Sequence, residues 1–352
     1  MIDSLVLERD ANRIAIVSAD LLAIGREEVD EIRTQIASFG LRPEDVLVAA
    51  SHTHCGPPAI DFGYALKSQD VVAEIVDKAV EAVEDSVQSL SQATLRMGDA
   101  EFPHNINRRQ PIFFGRRTKL GVNPEGPVDT RLSFLLVKNA RGRLLVAGYG
   151  CHPVINKKIL LASADYVGGI RLAAESAGMT AMFLNGALGD VVPYDRDRKV
   201  ALGTVGPKVA VEFGRRMGCQ ALASSSSRAD ESHLQLGSAL AACEVHLKNV
   251  GGKEFARKLP VQALRIGQLM FVGLPGEVFA ETSLELRKTL STANVVSCAN
   301  DYVGYLPPRE EYARGGYEVK CAPRNLGYSV RAGTAEDLEN VANELISQVL
   351  RI

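Results

Sequence analysis

No apolar run in the chain approaches the roughly 20 residues that span a bilayer as a helix. Stretches such as LLVAGYG and AMFLNGAL are far shorter, so no transmembrane segment is expected and the protein should be soluble. The opening MIDSLVLERD lacks a basic region followed by an apolar one and does not read as a secretory signal, so the cytoplasm is the expected location, with export the alternative if the N-terminus is trimmed. An excess of either charge is missing too. Lys and Arg number 40 against 42 Asp and Glu, a formal net charge of -2, and no basic stretch is long enough to track a phosphate backbone, so nucleic acid is excluded as a partner. The six cysteines, at 55, 151, 219, 243, 298 and 321, include no CxxC pair and no close cluster, which argues against a disulfide framework and for reduced thiols. There is no internal repeat and no clear domain boundary, so residues 1–352 read as a single domain.

What is present is apolar content enough for one large core or two modest ones, 46% of 352 residues, so a bound metal is not needed as a structural staple. Residues 13–20 (RIAIVSAD), 27–40 and 45–51 read as strand, amphipathic helix and strand. A long helix is expected at 70–90, then strands near 93–101, 131–139 and 143–149, the last two joined by a turn at Asn139–Gly142. Strand and helix alternate through 165–184. A helix at about 205–223 leads to the serine run 224–227, read as a surface loop. Strands follow near 234–247, 260–267 and 269–274, then a helix at 279–291, a strand at 293–299 and a helix at 334–350. The alternation predicts an α/β fold with mixed β-sheets flanked by helices.

The candidates for chemistry lie where strands end. Ser-His-Thr-His-Cys-Gly-Pro-Pro (51–58) follows a strand; if the extended conformation persists, His52 and His54 share a face and can converge on one metal ion. His152, in Gly-Cys-His-Pro (150–153), reads as a ligand or as a satisfied core or cap residue. Glu277, in Leu-Pro-Gly-Glu (274–277), reads as a ligand or as a carboxylate favoured at a helix N-terminus. Two histidines and a carboxylate with an open coordination position suit a catalytic zinc site. Cys55 and Cys151, each beside one of these histidines, are either thiol ligands or small buried residues, and Cys55 is also a candidate hydrolase nucleophile. Asp190, in Asn-Gly-Ala-Leu-Gly-Asp (185–190), can orient a ligand or cap a helix. Asn105–Arg108 and Asn300–Tyr305 look irregular, and Arg108 reads as an oxyanion binder or as a solvated arginine beside Arg109.

The blocks SHTHCGPP, NINRRQP, GCHPVI, NGALGDVVP, LPGEVFAE and NDYVGYLPPREEYARGGYE resemble, in order, the signatures of the neutral/alkaline non-lysosomal ceramidases over roughly residues 13–320. The resemblance implies that family's α/β catalytic domain and hydrolysis of an amide (N-acyl) bond with a zinc ion (Zn2+) and a metal-activated water. It implies His52, His152, Glu277 and Tyr305 as metal ligands. His54 is then a proton-transfer group facing substrate, and Arg108 and Tyr317 help hold the oxyanion. Three departures stand out. Val192 replaces a serine of the family's GDVSP block, which excludes a serine nucleophile there. Arg109 and Gln110 replace the usual Ser-Pro after NINR. The chain has no room for the family's C-terminal immunoglobulin-like domain, and its glycine-rich opening is missing as well. The expected substrate is a small-molecule or lipid amide. The alternative is a non-catalytic small-molecule or lipid-binding protein that keeps the metal pocket.

Overall fold

In the computed structural model, which describes residues 1–63, 65–156, 162–231 and 234–351, the first 50 residues show why the buried strands are apolar throughout. Strands β1 (Ile2–Arg9) and β2 (Asn12–Ala19) form an antiparallel hairpin. After helix α1 (Arg26–Ile36), β3 (Val46–Ala50) pairs with β2 in parallel. Leu5, Leu7, Ile14, Ile16 and Leu47 face one core. Their neighbours Val6, Ala15, Val17, Val46 and Val48 face a second, against Val29 and Ile32 of α1 and Ile75, Val76 and Val83 of α2 (Gln69–Gln88). Successive side chains of a strand point to opposite faces, so burial on both faces demands an unbroken apolar run.

The chain continues through β4 (Ala93–Glu101), β5 (Asn105–Ile112), β6 (Arg117–Asn123), β7 (Arg131–Asn139), β8 (Gly142–Tyr149) and helix α3 (Tyr166–Ser176). Then come β9 (Thr180–Asn185), β10 (Val191–Asp195), β11 (Val200–Ala201) and helix α4 (Pro207–Ser226). Strands β4-β7-β8-β9 form a mixed sheet, β8 and β9 being parallel. Its outer face packs Phe134, Leu145 and Phe183 on Ile170 of α3 and Phe213 and Met217 of α4.

The last third repeats the plan with β12 (Leu236–Asn249), β13 (Glu254–Ile266), β14 (Leu269–Gly273), β15 (Glu277–Val278), α5 (Ala280–Thr289) and β16 (Ala293–Val296). It closes with β17 (Tyr305–Leu306), α6 (Arg309–Arg314), β18 (Tyr328–Val330) and α7 (Thr334–Val349). The sheet β16-β14-β13-β12-β18 is covered by α5 and α7 through Leu286, Leu338, Leu345 and Ile346. Three sheets thus share one central core, where Ile16, Leu135, Met182, Leu264 and Phe271 meet, and helices cover each from outside. Fully burying each such side chain is worth about 1.5–3 kcal/mol. This is an α/β fold with mixed sheets.

Two segments differ from the sequence reading. The serine run is not a loop: α4 continues to Ser226, and Ser225, Ser226 and Ser227 hydroxyls donate to Leu222, Ala223 and Ser224 carbonyls at 2.8, 2.6 and 2.9 Å. Those bonds serve carbonyls that lack a partner at a helix end. Residues 105–108 are not irregular either. They begin β5, the centre of the sheet β11-β10-β5-β6.

The parallel pairs set the position of the site, since functional groups of such sheets gather beyond the carboxyl ends of the strands. Three backbone bonds tie together the ends of β2, β3, β9 and β16: Ser51 N donates to Ala19 O at 2.8 Å, Ser297 N to Asn185 O at 2.8 Å, and Asn300 N to Val48 O at 2.8 Å. The Asn185 amide reaches Ser51 O at 2.8 Å.

Candidate metal centre

His52 follows β3 by two residues and adopts a left-handed backbone, φ 66°. The extended conformation therefore does not persist to His54, and the same-face geometry read from the sequence does not apply. The turn still brings the two rings edge to face, with centroids 5.1 Å apart. A non-glycine residue in this region costs on the order of 1–3 kcal/mol and is found where surrounding structure enforces it. Here the imidazole Nδ1 donates to Leu22 O at 2.7 Å.

His152 enters from the end of β8. Its Nδ1 donates to Leu188 O at 2.5 Å and lies 3.2 Å from Val191 O. Carbonyl oxygens only accept, so Nδ1 of each ring carries a proton, and in the neutral form of each Nε2 is the nitrogen that presents a lone pair to the centre. Between the two Nε2 atoms lies Glu277 Oε2, at 3.3 Å from His52 and 2.9 Å from His152. His52 Nε2 is buried and makes no hydrogen bond among the described residues.

Glu277 is placed by a two-residue parallel ladder, β15 against β17, in which Glu277 is paired with Tyr305. Close backbone approach makes the ladder possible. A Cβ on Gly276 would lie 2.4 Å from Gly304 O, and one on Gly189 would lie 2.5 Å from Glu277 O, so both positions require glycine. The register sets the Tyr305 hydroxyl 3.4 Å from His152 Nε2. Glu277 Oε1 accepts from the Tyr302 hydroxyl.

These groups perturb one another. Burial disfavours charge on His52, but the Glu277 carboxylate and then Cys298 outweigh it and raise the imidazole to about 10. Burial, then the Arg108 guanidinium, pushes His152 down to about 3. Glu277 lies well below the ordinary carboxylate range: burial opposes the ionised form, but the charge of the neighbouring His52 imidazole outweighs it. A buried carboxylate set between two imidazole Nε2 atoms can hold a cation in place of the His52 proton, and His52, His54 and His152 offer ring nitrogens within 4.8 Å of one another. The donors fit a metal ion of zinc's character.

Arg108, on β5, is 8% exposed and Arg109 4%, which overturns the reading of a solvated pair. Arg108 donates through Nε to Glu318 at 2.9 Å and through Nη2 to Gly189 O at 2.9 Å and the Tyr305 hydroxyl at 3.0 Å, with Nη1 3.4 Å from His152 Nε2. Its guanidinium carbon lies 5.9 Å from the centre of the Tyr317 ring, which meets Tyr305 edge to face. Arg109 instead holds the 309–321 segment, through Glu311 at 2.7 Å, Glu318 and Gly315 O. Above the centre is a cavity of about 50 Å³, lined by His52, His54, Glu277, Tyr302, Tyr305 and Tyr317 with Phe62 and Leu326. It is small against the ~300–1,000 Å³ of ordinary ligand pockets.

The other candidates fall outside the centre. Asp190 accepts from Ala280 N at 2.8 Å and Asn107 at 2.6 Å, capping structure rather than facing the cavity. Val192 lies in a small apolar cluster with Ile106 and Val154. Burial raises the Cys55 thiol, whose Sγ donates to Asn156 O at 3.2 Å; both depress nucleophilicity. Cys151 is fully buried. Tyr302 is the functional neighbour that sequence reasoning missed, although it stands three residues before Tyr305 in the same block.

No family model matches the chain, and no curated protein matches it. Among solved structures it is similar to a neutral ceramidase from Pseudomonas aeruginosa, with TM-score 0.78 and 18% identity over 100% of this chain and 69% of that one. It is likewise similar to a ceramidase complexed with C2, with TM-score 0.77 and 17% identity over 100% of this chain and 70% of that one. Over its whole length the chain therefore has the neutral ceramidase-like fold.

Proposed function

We propose that the protein is a zinc-dependent amidohydrolase that cleaves an N-acyl bond. The observation that carries the reading is the position of Glu277 Oε2, 3.3 Å from His52 Nε2 and 2.9 Å from His152 Nε2, beside a cavity that His52 and Glu277 line. The likeness in fold to ceramidases, one of them complexed with C2, supports an amide as substrate. In this reading His52, His152, Glu277 and Tyr305 hold the ion, a mixed nitrogen and oxygen set that suits zinc. When bound, zinc supplies Lewis acidity toward a scissile carbonyl and lowers the pKa of a water toward neutrality.

The chain's own groups supply the rest. His54, on the cavity wall, accepts the proton of the attacking water and returns it to the departing amine. Arg108 and Tyr317 face the carbonyl oxygen as negative charge develops on it. Arg108 is held in advance by Glu318 and Gly189 O, so its stabilisation needs no reorganisation during the reaction. Valine at 192 offers no hydroxyl, and no acyl-enzyme forms at that position.

Incubation of the full chain with a panel of N-acyl amides, with and without a strong chelator, tests the reading. Release of free amine that stops on chelation and returns with zinc supports it. Turnover indifferent to chelation would overturn it, and zinc-dependent binding without product would favour the non-catalytic binder.

A further inference from the structure

The hairpin of β5 and β6 ends in a tip that a water-facing turn has no reason to carry. Phe113 is 65% exposed and Phe114 fully exposed. Both adopt left-handed backbone, φ 50° and 56°, followed by Gly115 at 80°. Left-handed positions in hairpin turns ordinarily go to Asn, Asp or Gly, and bulky residues there are strained. The turn is nonetheless well formed, with Gly115 N donating to Ile112 O at 3.1 Å and Arg116 N to Phe113 O at 3.2 Å. Strain and lost burial thus hold two aromatic rings outward.

The charge around the rings has one sign. From Asn105 to Asn123 the hairpin has no acidic residue. Arg108 and Arg109 are engaged by Glu318 and Glu311, while Arg116, Arg117 and Lys119 are exposed and make no ion pair among the described residues. The Arg117 guanidinium lies 5.8 Å from the Phe113 ring centre. Leu120, on β6, adds a further half-exposed apolar side chain.

The tip is joined to the wall of the cavity. Thr118 on β6 bonds Gly315 O at 3.4 Å, two residues before Tyr317. Along β5, Phe113 stands five residues beyond Arg108, roughly 17 Å at strand spacing.

We infer that this tip is a membrane-surface anchor: Phe113 and Phe114 enter the interfacial layer of a bilayer carrying anionic headgroups, and Arg116, Arg117 and Lys119 meet the headgroup charge. Aromatic rings favour that layer, and each basic side chain adds attraction to an anionic leaflet. A specific protein partner needs roughly 800 Å² on each side, which a four-residue tip open to solvent does not offer. A lipid surface needs no matching relief. Anchoring here would present the cavity wall to lipid whatever reaction the site performs, so the inference is independent of the amide reading and is read without turnover.

The test is sedimentation of the full chain with vesicles of phosphatidylcholine, alone or mixed with phosphatidylserine. Binding is expected to the mixed vesicles and to weaken in high salt, as screening shortens the reach of the basic residues. Phe113→Ala with Phe114→Ala should lower partitioning about tenfold or more, and Arg116→Gln with Arg117→Gln should remove most of the preference for phosphatidylserine. The chain has no tryptophan, so Phe114→Trp is a single reporter whose emission should shift to the blue with vesicles and be quenched by brominated lipid. A chain that stays in the supernatant with both vesicle types, or variants that bind as the parent does, would overturn the inference. So would loss of concentration-dependent self-association in the Phe variants without any vesicle binding.

Discussion

The Tyr302 hydroxyl donates to Glu277 Oε1, which leaves Oε2 as the carboxylate oxygen facing His152 at 2.9 Å and His52 at 3.3 Å. Burial, then the neighbouring carboxylate, raises the phenol well above its usual pKa, so it remains a donor. Tyr302 thus fixes which carboxylate oxygen faces the two imidazoles.

Tyr302→Phe keeps the ring stacked on His52 and packed near Phe62 but frees the carboxylate. Zinc affinity should fall about 10–100-fold, measured by equilibrium competition with a chromophoric chelator. An unchanged dissociation constant would remove Tyr302 from the centre.

Arg108→Ala should lower kcat by about 10²–10³ if the guanidinium faces developing charge, with zinc content unchanged. Arg108→Lys should recover little, because one ammonium cannot serve Glu318, Gly189 O and the Tyr305 hydroxyl in the fork geometry of arginine. Steady-state kcat and KM on the best amide check this; a change confined to KM contradicts it.

Glu318 is 2% exposed and joins Arg108 to Arg109. Glu318→Ala leaves two buried guanidinium groups short of a counter-charge and should cost about 3–5 kcal/mol in urea unfolding. A loss below about 1 kcal/mol would mean that water reaches the pair.

Asp165 caps α3, accepting from Asn156 N and Tyr166 N at 2.7 Å each, and burial raises it from 3.8 to about 6. The folded chain binds this proton more tightly than the unfolded one, so the contribution to stability is present below the unfolded pKa and is lost as pH rises through about 6. Asp165→Asn should flatten that decline. The stability difference should move in the variant's favour by up to about 3 kcal/mol between mildly acidic and neutral pH. Calorimetric melting across that window checks the sign.

The strands buried on both faces were legible because their apolar runs need no knowledge of distant partners, and the strand-end residues His52, His152 and Glu277 followed from them. Strand β5 was not legible. Its polar residues look irregular in isolation, yet Asn105 bonds Asp129 O and Gly150 O, Asn107 bonds Asp190, and Arg108 and Arg109 reach Glu318 over 200 residues away. A buried polar strand is specified by tertiary partners, which no local period reports. The serine run misled for a related reason: serine favours turns until its hydroxyl closes the last turn of a helix. The carbonyls of Leu22 and Leu188, which set both imidazole tautomers, carry no side-chain signature at all. Tyr305 emerged only through the family resemblance, since its pairing with Glu277 depends on a two-residue ladder.

The central claim is that His52, His152 and Glu277 form one metal centre, and zinc stoichiometry tests it most directly. Elemental analysis of the purified chain after equilibration with zinc and removal of free metal should give one zinc per chain, falling to near zero in His52→Ala and in Glu277→Ala, with both variants still folded by circular dichroism. Stoichiometric zinc retained in both variants, or full hydrolytic activity in a metal-free preparation, would contradict it.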